Sequence, residues 1–197
     1  MTVSVKANLF IDKPFSFFII LISLLPLFLF YLENIKMLIL ISNDDGIDSE
    51  GLSSLKESLS CLGDVWVVAP ESAQSAVGRA ITLHRPLKIT QVEDRKYMVN
   101  GTPSDCINIA VNGLLPEKPS LVVSGINKGG NLADDISYSG TVAAAFEATI
   151  LGIPSFAISL VCRNNYRFAP ASQFAAVLAR LVLENGLPPD TLLRMQT

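Results

Sequence analysis

The sequence predicts an α/β protein built as a three-layer, Rossmann-like, doubly wound sheet with mostly parallel strands. Three observations support this fold class. Short apolar runs without polar alternation, such as Met37–Ser42, are typical of parallel strands covered on both faces. Segments with helical spacing of apolar residues alternate with these runs. Polar or glycine-rich segments follow the runs directly, and no internal repeat interrupts the order, which favours a doubly wound sheet.

The first elements form a βαβ unit. The apolar residues at 37–42 predict a strand, and leucines spaced by three and four residues over 50–62 predict an amphipathic helix that ends at Gly63. Residues 64–69 predict a second strand, which Pro70 stops. The crossover of such a unit is expected to be right-handed.

The later elements continue the alternation. After a polar loop, the sequence predicts, in chain order, short strands at 81–92 and 97–99 joined by a hairpin about 93–95, a helix from Thr102 and Pro103 to about 115, a strand at 120–124, a glycine-rich loop at 125–138, a helix from Ser139 to about 151, a strand at 153–160 and a helix at 169–184.

The composition divides the chain into two parts. The 197 residues carry a formal net charge of −3 and a mean hydropathy of +0.43, which is high for a soluble protein. Much of the excess lies in residues 1–36, which hold six of the ten phenylalanines. We therefore expect an apolar N-terminal extension over 1–36 and one mildly acidic globular domain over 37–197. This composition disfavours a polytopic membrane protein, a disordered chain and a basic nucleic-acid binder.

Two interpretations of the extension remain open. Residues 14–32 reach the lower limit of transmembrane length, so they would anchor the protein in a membrane if they are translated and inserted. In the preferred interpretation, translation starts at Met37, residues 1–36 are an over-called start and the protein is cytoplasmic. The three cysteines are far apart and form no paired motif, which favours a reducing compartment.

The single histidine, His84, limits the possible chemistry. Zinc sites that need two histidines are excluded, and a Ser-His-Asp triad lacks the GxSxG elbow that would supply its serine. His84 is interpreted as structural and Cys106 as a core residue. Asp134 and Asp135 are interpreted as an acidic solvated loop rather than a second metal site.

Polar side chains follow three of the predicted strands. Asp44 and Asp45 follow the first strand, Ser75 follows the second, and Asn127 follows the strand at 120–124. Because the carboxyl ends of parallel strands meet at one edge of a sheet, we expect these side chains to converge. Adjacent carboxylates repel unless a cation or proton intervenes, and hard oxygen donors suit Mg²⁺ or Mn²⁺. The alternative is that residues 43–46 are simply a turn.

Ser139, Gly140 and Thr141 predict an anion site at the start of a helix. Ser139 is a good N-cap, and the free amides of the next two residues would point into the cleft with the positive end of the helix dipole. Such a site suits a phosphate, although an ordinary capped helix is the alternative. Lys128 either steers a phosphate or faces solvent. The loop at 125–131 matches neither the P-loop nor GxGxxG, so ATP-driven and dinucleotide chemistry lack support.

Five motifs lie in the order and spacing of a known family across residues 37–184. They are LISNDDGI at 40–47, VVAP at 67–70 with QSA at 74–76, GTPSDC at 101–106, VVSGIN at 122–127 and YSGTVAAA at 138–145. Together they resemble the SurE family, the survival-protein nucleotidases, which are metal-dependent enzymes that hydrolyse nucleoside monophosphates.

The resemblance implies a set of site residues and a reaction. One divalent cation per subunit, Mg²⁺ or Mn²⁺, is held by Asp44, Asp45, Ser75 and Asn127. The substrate phosphate is surrounded by Asn131, Ser139, Gly140 and Thr141. The substrates are nucleoside 5′- or 3′-monophosphates and in some members short polyphosphate, not a nucleic-acid polymer. Catalysis is expected to combine polarisation of the phosphoryl oxygen by the cation with amide stabilisation of the developing charge, and either Asp44 or Asp45 positions the attacking water.

Two departures from the family pattern shape the expectations. The family begins at the first strand, as Met37 would, and it continues beyond this chain into further strands and an arm exchanged between subunits of a dimer or tetramer. The chain is therefore interpreted as C-terminally truncated, lacking those strands and the arm. A non-catalytic nucleotide-binding or unstable fragment is the alternative to an active 5′-nucleotidase.

Two other phosphate-handling classes are disfavoured. A signalling receiver domain would need an aspartate where Ser124 and Asn127 stand, and a haloacid-dehalogenase-type phosphatase needs a D-x-D spacing that the adjacent Asp44 and Asp45 do not provide.

Overall fold

The computed structural model describes residues 37–162 and 164–197. The predicted extension over 1–36, including the possible anchor at 14–32, lies outside the described residues. In the part that is described, no helix combines the length and the apolar character needed to cross a membrane.

Seven strands form one sheet at the centre of the domain. They are β1 (Met37–Ser42), β2 (Gly63–Pro70), β3 (Ile89–Glu93), β4 (Lys96–Val99), β5 (Leu121–Lys128), β6 (Ser155–Leu160) and β7 (Leu192–Gln196). Their spatial order is β3-β4-β2-β1-β5-β6-β7. Within the described residues, β3 and β4 are the only antiparallel pair, and all other neighbouring strands are parallel.

Helices cover both faces of this sheet. They are α1 (Glu50–Leu59), α2 (Pro103–Ile109, continued by a π-helical turn at Ala110–Leu114), α3 (Gly140–Ile150) and α4 (Phe168–Asn185), with a short 3-10 turn at Ala133–Ser137. Apolar residues of α1 and α4 share one core cluster with the sheet, and those of α2 and α3 share another. The predicted three-layer α/β fold is therefore confirmed.

The central strand β1 explains the continuous apolar run in the sequence. Ile39 and Ile41 pack on the α1 and α4 side, whereas Leu40 packs on the α2 and α3 side, and all three are fully buried. The chain passes from β1 to β2 on one side, while β5 lies on the other side of β1. This arrangement creates a topological switch point at the carboxyl ends of β1 and β5, where ligands bind in doubly wound sheets.

Several predicted element boundaries differ from the structure, including those of two strands and one helix. Of the strand expected at 81–92, only the end, from Ile89, is strand. Residues 81–88 are mostly exposed, and the N–H groups of Thr82 and Lys88 donate to side chains, those of Asp105 and Asn100. The third core strand does not end at 124, since β5 continues to Lys128 after an irregularity between Ser124 and Asn127. The first helix ends at Leu59 rather than at 62.

The strand β7 was not predicted. Its sequence, LLRMQ, has neither the continuous apolar run of a central strand nor the alternation of apolar and polar residues of an exposed strand. In the structure, its five residues are all half-buried. The chain thus contributes one more parallel strand, beside β6, than the predicted elements contained.

Helix α2 begins where Thr102 and Pro103 predicted a helix start, and the structure adds a reciprocal capping arrangement there. The Asp105 backbone N–H donates to the Thr102 hydroxyl at 3.1 Å, and the Thr102 N–H donates to the Asp105 carboxylate at 2.9 Å. The same carboxylate accepts the N–H of Thr82 at 3.0 Å and its hydroxyl at 2.6 Å. Burial favours the neutral acid, but these hydrogen bonds outweigh it and lower the pKa of Asp105 below its ordinary value.

Replacing Asp105 by Asn is expected to destabilise the domain at neutral pH by about 1–2 kcal/mol, because an amide N–H₂ would face donors that now meet an acceptor. A carboxyl whose folded pKa is lowered adds stability above its unfolded pKa and loses it as the pH falls through the folded pKa. The difference from wild type should therefore shrink below about pH 4. Urea unfolding at both pH values measures it.

The matched control is Asp94→Asn, which removes the same charge from a side chain that is 91% exposed. Equal unfolding free energies for Asp105→Asn and Asp94→Asn at neutral pH would contradict the expected role of Asp105.

Candidate functional site

A cleft of about 290 Å³ lies at the carboxyl ends of β1 and β5. It is lined by Asp44, Asp45, Ser75, Ala76, Asn127, Lys128, Gly130, Asn131, Asp135, Tyr138 and Ser139. All four predicted metal ligands are therefore in one place, together with two of the four predicted phosphate-binding residues. The other two, Gly140 and Thr141, lie directly behind Asp44.

The turn after β1 presents both aspartates to the cleft. The Asn43 side chain is fully buried and donates to the Gly46 carbonyl at 3.0 Å and to the Ser49 hydroxyl at 2.6 Å. Gly46 has a φ of +99°, and a Cβ there would lie 3.3 Å from the backbone of Ser72. Residues 43–46 are thus a turn, and the turn also serves to aim the Asp44 and Asp45 carboxylates.

The loop after β2 is tied to this turn. The Gln74 N–H donates to the Asp44 carbonyl at 2.7 Å, and the Ile47 N–H donates to the Pro70 carbonyl at 2.9 Å. These backbone bonds hold the loop that carries Ser75 against the turn, so that Ser75 lines the same cleft as the aspartates.

Asn127 lines the cleft, and it follows the irregularity in β5 between Ser124 and Asn127. Gly125 has a φ of +139°, and a Cβ there would lie 2.3 Å from the Ile158 carbonyl oxygen, so only glycine fits against β6. The Asn127 amide nitrogen donates to the Gly129 carbonyl at 2.8 Å. Because its nitrogen is engaged, the side chain offers its amide oxygen to a ligand.

Asp44 is held against the start of α3. It is 9% exposed and accepts hydrogen bonds from the hydroxyl and the backbone N–H of Thr141. A Cβ on Gly140 would lie 2.7 Å from the Asp44 Cβ, so the glycine is what allows this close approach. The anion nearest to this helix start is therefore the carboxylate of Asp44.

The electrostatics of the two aspartates favour a cation between them. Burial raises the pKa of Asp44, and the neighbouring charge of Asp45 raises it further, against the hydrogen bonds from Thr141. Burial also raises the pKa of Asp45, while the Lys128 N–H, 3.1 Å from its Oδ2, acts in the opposite direction. A bound divalent ion would favour the charged form of both groups.

Two of the residues predicted to surround a phosphate, Asn131 and Ser139, are buried. Asn131 is 8% exposed, and its amide nitrogen donates to the Ser159 hydroxyl at 2.9 Å, which leaves its second N–H for a ligand. The Ser139 hydroxyl accepts the Val142 N–H at 3.1 Å and caps α3, as expected.

The other residues that the sequence analysis singled out differ in whether they line the cleft. Lys128 lines the cleft, and its Nζ lies 4.8 Å from the centre of the Tyr166 ring. Asp135 also borders the cleft, whereas His84 is exposed and does not line it. Tyr138, 64% exposed in the cleft wall, was not predicted as a site residue, although it begins the YSGTVAAA motif at 138–145.

The donor set determines which metals the site suits. Across residues 37–162 and 164–197, no group of three or more His, Cys, Asp and Glu residues could hold a metal. The candidate set instead combines two carboxylates with amide and hydroxyl oxygens, from Asp44, Asp45, Asn127 and Ser75. These are hard oxygen ligands, and they fit Mg²⁺ or Mn²⁺.

Comparisons with known proteins agree on one family. The family model described as "Survival protein SurE" matches residues 39–196. The chain is 52% identical over 160 residues to "5′-nucleotidase SurE" of Geotalea uraniireducens, covering 81% of this chain and 64% of the relative. It is 56% identical over 158 residues to the protein of the same name from Myxococcus xanthus, covering 80% and 60%.

A solved structure shows the same similarity. The crystal structure of the SurE protein from Aquifex aeolicus matches with a TM-score of 0.78 and 43% identity, over 81% of this chain and 65% of that one. The chain thus spans somewhat less than two thirds of the length of these relatives.

Proposed function

Because the chain belongs to the survival protein SurE family, we propose that it is a divalent-metal-dependent phosphatase that hydrolyses nucleoside 5′-monophosphates to nucleoside and phosphate. The observation that carries the proposal is the meeting of Asp44 and Asp45, both with raised pKa, with Asn127 and Ser75 in one cleft. The relatives' name supports the substrate class.

The four oxygen-bearing side chains would hold one Mg²⁺ or Mn²⁺ ion. A bound ion supplies Lewis-acid polarisation of the phosphoryl oxygen and lowers the pKa of water at the site. Asp44 is fixed by Thr141, so its role is that of a rigid ligand. Asp45 accepts only the Lys128 N–H among the described residues, so we assign to it the additional role of taking the proton of the attacking water.

The phosphate side of the cleft is assigned to Asn131 and the start of α3. The second N–H of the Asn131 amide is available to a phosphoryl oxygen, and Ser139 places the positive end of the α3 dipole beside it. Gly140 and Thr141, at the start of the same helix, are also assigned to the phosphate, and the Thr141 hydroxyl in addition donates to Asp44.

The proposal predicts metal-dependent release of phosphate from AMP or GMP by the purified chain. Phosphate release should rise at least about tenfold on adding Mn²⁺ or Mg²⁺ and should disappear with EDTA, because the developing charge then lacks its counter-ion. A colorimetric phosphate assay measures this. Turnover that is unchanged by EDTA would contradict the metal site, and a panel of 5′- and 3′-nucleotides and short polyphosphate would define the substrate.

The second candidate is a chain that binds nucleotide without hydrolysing it. AMP and Mn²⁺ would then raise the unfolding temperature while no phosphate is released. Assembly into homo-oligomers and a cytoplasmic location are further proposals that the family suggests.

A further inference from the structure

The last strand, β7, reaches the backbone of a residue assigned to the phosphate. The Asn131 N–H donates to the Gln196 side-chain oxygen at 3.3 Å, and the Gln196 amide nitrogen donates to the Asn131 carbonyl at 3.2 Å. The side-chain amide of Gln196 therefore forms hydrogen bonds with both the N–H and the carbonyl of Asn131, as the backbone of a neighbouring strand would. Arg194 adds a third bond, from its guanidinium to the same carbonyl.

These contacts belong to a row of residues that crosses three strands. Asn127 of β5 is the register partner of Ser159 of β6, and Ser159 is the partner of Gln196 of β7. Ser159 is fully buried and accepts the Asn131 side-chain N–H at 2.9 Å. Thus β6 fixes the side chain of Asn131, while β7 fixes its backbone.

Apart from the bonds of Asn131 to β6 and β7, the loop that carries Asn131 makes few hydrogen bonds with other described residues. Gly129 and Gly130 precede it, and a Cβ on Gly129 would meet nothing within 4 Å. The Gly129 N–H donates to the Leu160 carbonyl at 3.1 Å. A loop with two glycines costs more conformational entropy to order than one with side chains, so the side-chain bonds from β7 matter for its position.

We propose that Gln196 and Arg194 are positioning residues that hold Asn131 at the phosphate side of the cleft, so that β7 forms part of the active site. This inference rests on the proposed phosphatase function. Gln196 does not line the cleft and acts through Asn131. Because Asn131 is expected to stabilise charge that develops during the reaction, its displacement should affect turnover.

The test is a double-mutant cycle with Gln196→Ala and Asn131→Ala in the full chain, assayed with AMP and Mn²⁺. We expect Gln196→Ala to lower kcat/KM roughly tenfold, as loss of an outer supporting contact does. In the Asn131→Ala background the same change should alter kcat/KM by less than about twofold, because the side chain that it positions is gone. Equal losses in both backgrounds would overturn the proposal.

The matched control is Gln91→Ala. Gln91 is an exposed glutamine on β3, the strand at the opposite edge of the sheet, and it also donates to a backbone carbonyl, that of Glu93 at 3.3 Å. Its replacement should leave kcat/KM unchanged. Gln196→Glu, which keeps the acceptor for the Asn131 N–H but turns a second acceptor toward the carbonyl, should show the same coupled loss if Gln196→Ala folds poorly.

Amide exchange separates this inference from the phosphatase function. The Asn131 N–H should exchange at least about tenfold faster in Gln196→Ala than in wild type or Gln91→Ala, measured by NMR, because its acceptor is lost. Unchanged exchange would overturn the positioning role even in an active enzyme. If wild type releases no phosphate, the phosphatase function fails. Faster exchange of the Asn131 N–H in Gln196→Ala would still show that β7 holds the backbone of Asn131.

Discussion

Asp44→Asn is expected to lower kcat/KM for AMP by about 10³-fold, since metal-assisted charge stabilisation is worth several kcal/mol and each 1.4 kcal/mol is tenfold. Asparagine keeps the shape of the side chain and removes the charge that would hold a cation. It also turns an amide nitrogen toward the Thr141 hydroxyl or toward the ligand. Steady-state phosphate release at saturating Mn²⁺ measures the loss.

Thermal unfolding of the same variant tests the physical cause. Burial and Asp45 raise the pKa of Asp44, so the ionised carboxylate weakens the metal-free folded state. Without added metal, Asp44→Asn should therefore unfold at or above the wild-type temperature. Adding Mn²⁺ at about 100 times its Kd should stabilise wild type by about 2.7 kcal/mol and should hardly change the variant.

Asp134→Asn is the matched control for the charge change. Asp134 is exposed in the 3-10 turn near the cleft and does not line it. Its replacement should leave both kcat/KM and the response to Mn²⁺ unchanged. Wild-type kcat/KM in Asp44→Asn, or an equal loss of kcat/KM in Asp134→Asn, would contradict the assignment of Asp44 as a metal ligand.

The sequence predicts the parts of this protein that depend on local pattern. The apolar run of β1 indicates a central parallel strand because both of its faces are buried. The meeting of Asp44, Ser75 and Asn127 follows from a general property of parallel sheets, since the side chains that follow neighbouring strands share one edge. The first prediction needed only the apolar pattern of one segment, and the second needed only the order of the elements.

Other features depend on contacts between distant residues, which a single sequence does not show. The contact of Thr141 with Asp44 spans 97 residues, and that of Gln196 with Asn131 spans 65. The strand β7 escaped prediction because an edge strand that is half-buried has neither of the periodic patterns that identify strands. The sequence predicts the start of α3, but it does not show that the Asp44 carboxylate, from the turn after β1, accepts hydrogen bonds there.

Gly140→Ala should reduce kcat/KM by about 100-fold, because a displacement of about 1 Å in a catalytic group has this effect. In an ordinary helix, alanine at this position would be favourable by up to about 1 kcal/mol. Here the added Cβ would lie 2.7 Å from the Asp44 Cβ, 3.0 Å from its Oδ2 and 3.1 Å from the Pro103 Cγ. Gly140 does not have a positive φ, so the expected effect comes from lack of space alone.

In Gly140→Ala either the Asp44 side chain or α3 must move, and the two movements have different consequences. If Asp44 shifts into the cleft, the ligand geometry is lost and Mn²⁺ no longer raises the unfolding temperature. If α3 shifts away from β1 instead, overpacking should destabilise the domain by about 1–3 kcal/mol. Gly113→Ala is the control, because a Cβ there meets nothing within 4 Å. Wild-type activity and unfolding temperature in Gly140→Ala would show that Asp44 and α3 do not stay in contact during turnover.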